Sequence, residues 1–245
     1  MMKVLILAAG YGTRLYPIVK NTPKPLLDIG GKSLIDHLLD KVKTAGGLSE
    51  VIVVTNDKFY GLFHLWAKKK DFCAPVTVIN DGTSSPEDRL GSVGDIEFVL
   101  NNYVIDDDLL VLGGDNLFDY TLDDYVAFAR KNNPSVTIGL YDIHSLKDAA
   151  RFGVVEIYDN GRIRTFEEKP MRPKSSLIAM CSYYFPQRSL DLIHEYMRTN
   201  RHTDKAGDYI QWLVGKADVY GFEFKGTWYD IGSIESLKEA RSKFK

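Results

Sequence analysis

Five short runs rich in valine and isoleucine, Val4–Leu7, Val51–Thr55, Val76–Ile79, Leu109–Leu112 and Val136–Leu140, alternate with four segments of helical pattern: Leu34–Val42, Lys58–Lys69, Val93–Asn101 and Leu122–Lys131. No other feature restricts the fold as much. An uninterrupted apolar strand needs cover on both faces, and parallel neighbours need a crossover, which the intervening helices supply. The alternation therefore predicts an α/β fold with a mainly parallel open sheet between two helical layers. With 245 residues, the chain is long enough to bury a substantial core as a single domain.

The rhythm changes after residue 150. Val154–Tyr158 and Arg162–Phe166 flank Asp159-Asn160-Gly161, which reads as a hairpin whose glycine supplies a positive φ. A strand at Leu177–Phe185, helices near Arg188–Arg198 and Ala206–Gly215, an apolar stretch Val219–Tyr229 and a helix from Ile234 onward are expected to follow. Ser33, with Asp36 three residues on, reads as the cap of the first long helix. The segment 9–32, with four glycines and three prolines, is then a long excursion of the kind that tends to carry function. No repeat of about 20–50 residues is visible, so no hexapeptide β-helix domain is expected.

Hydrophobic residues make up 44% and charged residues 26%, and the net charge is -2, which gives no electrostatic reason to expect nucleic acid or a membrane as partner. No apolar run approaches the ~18 residues of a membrane span. The run from Val4 to Ala9 is too short for a signal sequence and reads as a buried first strand. Cys73 and Cys181 are too few for a disulfide framework, so a reducing cytoplasm is the expected location. His37, His64, His144, His194 and His202 show no metal spacing, and no G-x-S-x-G motif occurs.

The first strand runs into Gly10-Tyr11-Gly12-Thr13-Arg14, with Lys24 following. Glycines just past a strand let backbone N–H groups approach an anion, and two cationic side chains can then neutralise a polyphosphate. The competing reading is a plain turn with solvated basic residues. A dinucleotide site is disfavoured because Leu15 stands where the third glycine of G-x-G-x-x-G belongs and no acidic residue follows at the required distance. Gly31-Lys32-Ser33 looks like the end of a kinase-type phosphate loop, but Leu26 occupies its first glycine position, leaving a turn and a helix cap.

Taken whole, ILAAGYGTRLYPIVKNTPKPLL at 6–27 resembles the signature of the nucleotidyltransferases that activate sugar 1-phosphates. The resemblance continues at RLGSVGD (89–95), LGGDNLF (112–118), FGVVEIYDNGRIRTFEEKP (152–170) and WYDIGS (228–233). It implies a Rossmann-like catalytic domain, with a nucleotide-binding half over 1–145 and a sugar-phosphate half, with added hairpin and lid elements, over 146–245. It implies that Leu7, Ala8, Ala9, Gly10, Gly12 and Thr13 hold the nucleotide, and that Asn80, Leu90 and Gly91 surround the base. Arg14, Lys24 and Lys169 would be the catalytic cations. Gly153 and Glu168 would meet the sugar, and Asp115 and Asp230 would bind Mg2+. Both aspartates follow apolar strands, where α/β sheets build their sites, and two carboxylates with phosphate and water oxygens are a usual magnesium arrangement.

The implied reaction joins a nucleoside triphosphate to a sugar 1-phosphate and releases pyrophosphate, with thymidylyl transfer favoured by Asp115-Asn116-Leu117-Phe118. Cytidylyl, uridylyl or guanylyl transfer to another phosphorylated metabolite is the runner-up within that class. A regulatory relative that binds a nucleotide sugar and a nicotinamide oxidoreductase are alternatives from other classes. The departures from the family pattern that bear on the substrates are the loop Asp81–Asp88, Asn80 in place of a glutamine and Cys181 in place of a glycine; Val19 for a threonine and Asp28 for a proline are expected to be tolerated. Relatives are often homo-oligomers, and the sequence leaves this chain's oligomeric state open.

Overall fold

A computed structural model of the protein describes residues 1–200 and 206–244. In chain order its elements begin with β1 (Met2–Leu7), β2 (Asp28–Ile29), β3 (Lys32–Ser33), α1 (Leu34–Thr44), β4 (Leu48–Thr55), α2 (Asp57–Ala67) and β5 (Val76–Asn80). Then come α3 (Gly91–Asn102), β6 (Asp108–Gly113), β7 (Asn116–Phe118), α4 (Asp123–Lys131), β8 (Val136–Asp142) and α5 (Leu146–Ala149). The remainder comprises β9 (Gly153–Ile157), β10 (Ile163–Glu168), β11 (Leu177–Phe185), α6 (Asp191–Thr199), α7 (Ala206–Lys216), β12 (Val219–Glu223), β13 (Trp228–Asp230) and α8 (Ile234–Lys243). Strands and helices alternate as the sequence predicts, giving an α/β fold with a mostly parallel, mixed sheet and flanking helices.

The chain forms two compact units that interleave along the sequence. The first comprises Met1–Leu90, Leu112–Leu122 and Gly226–Lys245, and the second Gly91–Val111 and Asp123–Lys225. In the first, β1, β4 and β5 lie parallel, with Leu7 opposite Val54 and Thr55 opposite Asn80. Val4, Leu5, Ile6 and Val51–Val54 are fully buried, the burial that their unbroken apolar character requires. Ser33 caps α1 as expected, its hydroxyl accepting from the Asp36 amide.

A second core in this unit fixes the excursion at 9–32. Leu15, Val19, Leu27 and Ile29 pack with Leu34, Leu117, Ile231, Leu237 and Ala240. At about 1.5–3 kcal/mol for each fully buried large aliphatic side chain, this cluster offsets the entropy of ordering a loop with little regular structure. It ties the chain just after the glycine loop, β7 and the residue after β13 to one apolar centre.

In the second unit β11 pairs antiparallel with β8, β8 pairs parallel with β12, and β9 and β10 form the expected hairpin, with Gly161 at φ 81. Helix α3 packs on α6 and α7, and α7 packs on β10. The Tyr125 hydroxyl, fully buried, donates towards the Thr137 carbonyl at 2.9 Å and lies 3.1 Å from the Ser182 carbonyl. Burial raises its pKa far above the ordinary phenol value. Tyr125→Phe is expected to lower stability by about 1–2 kcal/mol, because it removes the buried hydroxyl that donates to the Thr137 carbonyl. A shifted urea midpoint at constant denaturant slope would show this, and an unchanged midpoint would contradict it.

Candidate active site

The first unit presents the glycine loop. Thr55 Oγ1 and Asn56 Nδ2 donate to the carbonyls of Ala8 (3.3 Å) and Ala9 (2.8 Å), which fixes the exit from β1. Gly12 then adopts φ 61, and a Cβ there would lie 3.0 Å from Val19 Cγ2. Among the described residues, the N–H groups of Gly10, Tyr11 and Gly12 meet no protein acceptor. Unpartnered donors in a glycine turn, with the exposed Arg14 beside them, are a set of groups suited to phosphate oxygens.

Lys24 heads a short 3-10 turn between Pro23 and Pro25. Pro25 packs on Gly114, where a Cβ would be 3.1 Å from Pro25 Cγ and 2.7 Å from the Leu7 carbonyl oxygen. The Gly114 amide donates to that same carbonyl at 2.9 Å, so the turn after β6 lies backbone to backbone against the end of β1. This close approach puts Asp115 within reach of Lys24, whose ammonium donates to Asp115 Oδ2 at 2.8 Å. Burial pushes the Asp115 carboxyl up, but the Lys24 ammonium, by charge and hydrogen bond, and the Arg14 charge outweigh it and hold the group below the usual carboxylate range.

Asp230 ends β13, which pairs antiparallel with β7 so that Asp230 faces Asn116 and Trp228 faces Phe118. The Ile231 amide donates to the Asp115 carbonyl at 3.0 Å, holding the two aspartate-bearing segments side by side. The Asp230 carboxylate turns over Gly232, where a Cβ would stand 3.3 Å from its Oδ2. Among the described residues no cluster of three or more metal-ligating side chains occurs. Two hard carboxylates, one in the turn before β7 and one at the end of the adjoining β13, match a small divalent cation that keeps water and substrate oxygens in its remaining positions, so the donor set fits Mg2+.

On the side assigned to the base, Asn80 is engaged locally. Its Nδ2 donates to Asp57 Oδ1 at 2.8 Å and its Oδ1 accepts from the Gly82 amide at 2.9 Å. The loop from Asp81 to Asp88 is closed by its own carboxylates: Asp81 accepts from Thr83, and Asp88 accepts from the amides of Ser84 and Ser85. Those amide bonds hold the exposed Asp88 carboxyl below its ordinary value. The Tyr11 hydroxyl donates to Thr83 Oγ1 at 3.3 Å, which links this loop to the glycine loop. Leu90, partly exposed, ends the first unit, and Gly91, at φ 77, opens α3 in the second.

The second unit gathers the other predicted residues on the β9–β10 hairpin. Gly153 faces Glu168 across it, and a Cβ at Gly153 would lie 2.3 Å from Phe166 Cζ, so only glycine lets that ring cover the strand. Strand alternation sends Glu167 outward to an exposed ion pair with Lys174 and Glu168 inward. Glu168 Oε2 packs on Gly207 in the first turn of α7, where the helix dipole favours negative charge, and a Cβ at Gly207 would overlap it. Lys169 holds φ 47, uncommon for a residue with a side chain, and its ammonium stands 3.3 Å from Glu168 Oε1. Cys181, partly exposed, sits where the β11–β8 register shifts. Burial, then Cys181 and Glu168, raise the Tyr183 hydroxyl well above its usual pKa.

Three positions that matter to this geometry, Gly114, Gly207 and Trp228, carry no role legible in the sequence, and Asn116 enters there only through the run Asp115-Asn116-Leu117-Phe118. Gly114, Asn116 and Trp228 lie within segments that carry the resemblance, but the bond between the Asn116 and Trp228 side chains spans 112 residues.

A glycine loop with open N–H groups, a lysine beside a carboxylate and a second carboxylate on the adjoining strand thus stand together on one unit of an α/β fold. The chain belongs to the nucleotidyl transferase family, which matches it over residues 3–245. It is similar over 99% of its length to a crystal structure provisionally described as a glucose-1-phosphate thymidylyltransferase from Bacillus anthracis in complex with a sucrose, with 26% identity, a TM-score of 0.81 and 94% of that chain covered. A UDP-glucose pyrophosphorylase complexed with UDP-glucose shares the fold at TM-score 0.81 and 21% identity, with 99% of this chain and 97% of that one covered. Its apo form aligns at TM-score 0.80 and 21% identity over the same shares.

Proposed function

We propose that the protein transfers the nucleotidyl group of a nucleoside triphosphate, most specifically a thymidylyl group, to a sugar 1-phosphate. A phosphate oxygen of the sugar 1-phosphate attacks the α-phosphorus in line, the bond from the α-phosphorus to the bridging oxygen breaks, and pyrophosphate leaves. The nucleophile is already an anion, so the difficulty is the approach of two anions, and the residues act by positioning and charge neutralisation.

The observation that carries this reading is the Lys24–Asp115 pair beside the open N–H groups of the glycine loop. In this reading the loop and Arg14 take the β- and γ-phosphates, and triphosphate oxygens compete with Asp115 for the Lys24 ammonium. Lys169 takes the incoming phosphate, and Glu168 accepts from sugar hydroxyls. Asp115 and Asp230 hold Mg2+, which supplies Lewis-acid neutralisation of phosphate charge when bound. The thymidylyl choice is supported by the 26% identical structure and by the run Asp115-Asn116-Leu117-Phe118.

The test is pyrophosphate release across dTTP, UTP, CTP, GTP and ATP, each with a panel of sugar 1-phosphates and Mg2+. The expected result is the highest kcat/KM with dTTP and a hexose 1-phosphate. A preference for another nucleotide would replace the base assignment, and no release over the whole panel would favour a regulatory nucleotide-sugar-binding role.

A further inference from the structure

Asp115 is held from two directions. Lys24 occupies Oδ2, and the Asn116 side-chain amide donates to Oδ1 at 3.1 Å. Asn116 is buried at 6% exposure, and its own oxygen accepts from the Trp228 indole N–H at 2.7 Å. An indole nitrogen only donates, so the chemistry of Trp228 dictates that the amide oxygen faces it and that the NH2 group faces Asp115. The same NH2 has a second, longer contact at 3.4 Å to the Gly113 carbonyl.

The placement matters because of the β7–β13 pairing. Trp228 and Asp230 are two residues apart on β13, and Asp230 faces Asn116 across the ladder. The bond from Trp228 to Asn116 thus reinforces the joint between the strand that ends in Asp230 and the turn that carries Asp115, alongside the Ile231–Asp115 backbone bond.

We propose that Asn116 is a positioning residue, locked by Trp228, that sets the orientation of the Asp115 carboxylate towards a divalent cation. This deepens the proposed function and rests on its metal assignment. Lys24 has three N–H donors to divide between Asp115 Oδ2 and a triphosphate, so its hold on the carboxylate varies with the substrate, whereas the Asn116 amide stays on Oδ1 and fixes the carboxylate plane. A freely rotating Asp115 would meet the metal in several orientations and bind it more weakly.

The test is Mn2+ binding followed by electron paramagnetic resonance in the presence of dTTP, on the full chain and on Asn116→Ala and Trp228→Phe. Each variant is expected to weaken Mn2+ at least about tenfold, as loss of an outer group that orients a ligand usually does. The double variant should be no worse than Asn116→Ala alone, because both act through one chain of bonds. In metal-free protein, Asn116→Ala should also move the indole N–H resonance of Trp228, identified by its absence in Trp228→Phe. The resonance of Trp66, whose indole donates to Asp36, should stay in place. Mn2+ affinity within twofold of the unaltered protein in both variants would overturn the positioning role while leaving the metal assignment intact. No Mn2+ binding by the unaltered protein would overturn both. If Asn116→Ala fails to fold, Trp228→Phe, which keeps an aromatic ring on the strand, carries the affinity test.

Discussion

Replacing Asp115 by asparagine, or Asp230 by asparagine, is expected to lower the turnover of pyrophosphate release by about a thousandfold or more while the protein stays folded. Each change keeps the side-chain volume and removes a charge. Neutralisation by a bound divalent cation is worth several kcal/mol in phosphoryl chemistry, and each 1.36 kcal/mol is tenfold in rate. For Asp115 the change also removes the charge that faces Lys24, whose side chain is 11% exposed against 37% for Asp115, but the asparagine carbonyl can still accept from the ammonium, so the fold is expected to persist with a lowered thermal midpoint. The measurements are kcat under saturating substrates and Mg2+, and the thermal midpoint of each variant. Retention of a tenth of the turnover by either would contradict the assignment of these carboxylates.

The second large effect is structural. Gly114→Val places a branched side chain where a Cβ would already lie 2.7 Å from the Leu7 carbonyl oxygen and 3.1 Å from Pro25. The backbone cannot retreat without breaking the 2.9 Å bond from the Gly114 amide to Leu7. Overpacking against a fixed backbone and the lost bond together predict a destabilisation of about 3 kcal/mol or more. Turnover should fall as well, because Leu7 leads into the glycine loop and Asp115 follows Gly114. A urea midpoint and turnover like those of the unaltered protein would show that this close approach is dispensable.

What the sequence made legible is what depends on neighbours along the chain. The Ser33 cap, the Asp159-Asn160-Gly161 turn and the buried strands β1 and β4 each express a preference confined to a few residues, and each forms as read, whereas the equally apolar β5 forms at the sheet edge and is only half-buried. The excursion at 9–32 was readable as irregular but not in detail. Its two-residue strands β2 and β3 pair only because Gly30 and Gly31, at φ 64 and 82, reverse the chain. Such strands are too short to show a period.

The apolar stretch Val219–Tyr229 likewise divides at Gly226, φ 128, into β12, which pairs with β8, and β13, which pairs with β7. That choice is made by distant partners. The same reason hid the inner structure of the candidate site. Lys24 and Asp115 were both identified as functional residues, yet their direct pairing across 91 residues follows from the packing of Pro25 on Gly114, which no local pattern announces. The inward set of Glu168 depends on Gly207 in α7, a contact equally remote in sequence.

The central claim is a single displacement in which the sugar 1-phosphate itself attacks the α-phosphorus, with no covalent intermediate on the protein. Exchange of labelled pyrophosphate into the nucleoside triphosphate, in the presence of Mg2+, tests it most directly. Label should enter the triphosphate only when the sugar 1-phosphate is also present. Exchange in its absence would reveal a nucleotidyl-protein intermediate and contradict the account, as would no exchange with both substrates supplied.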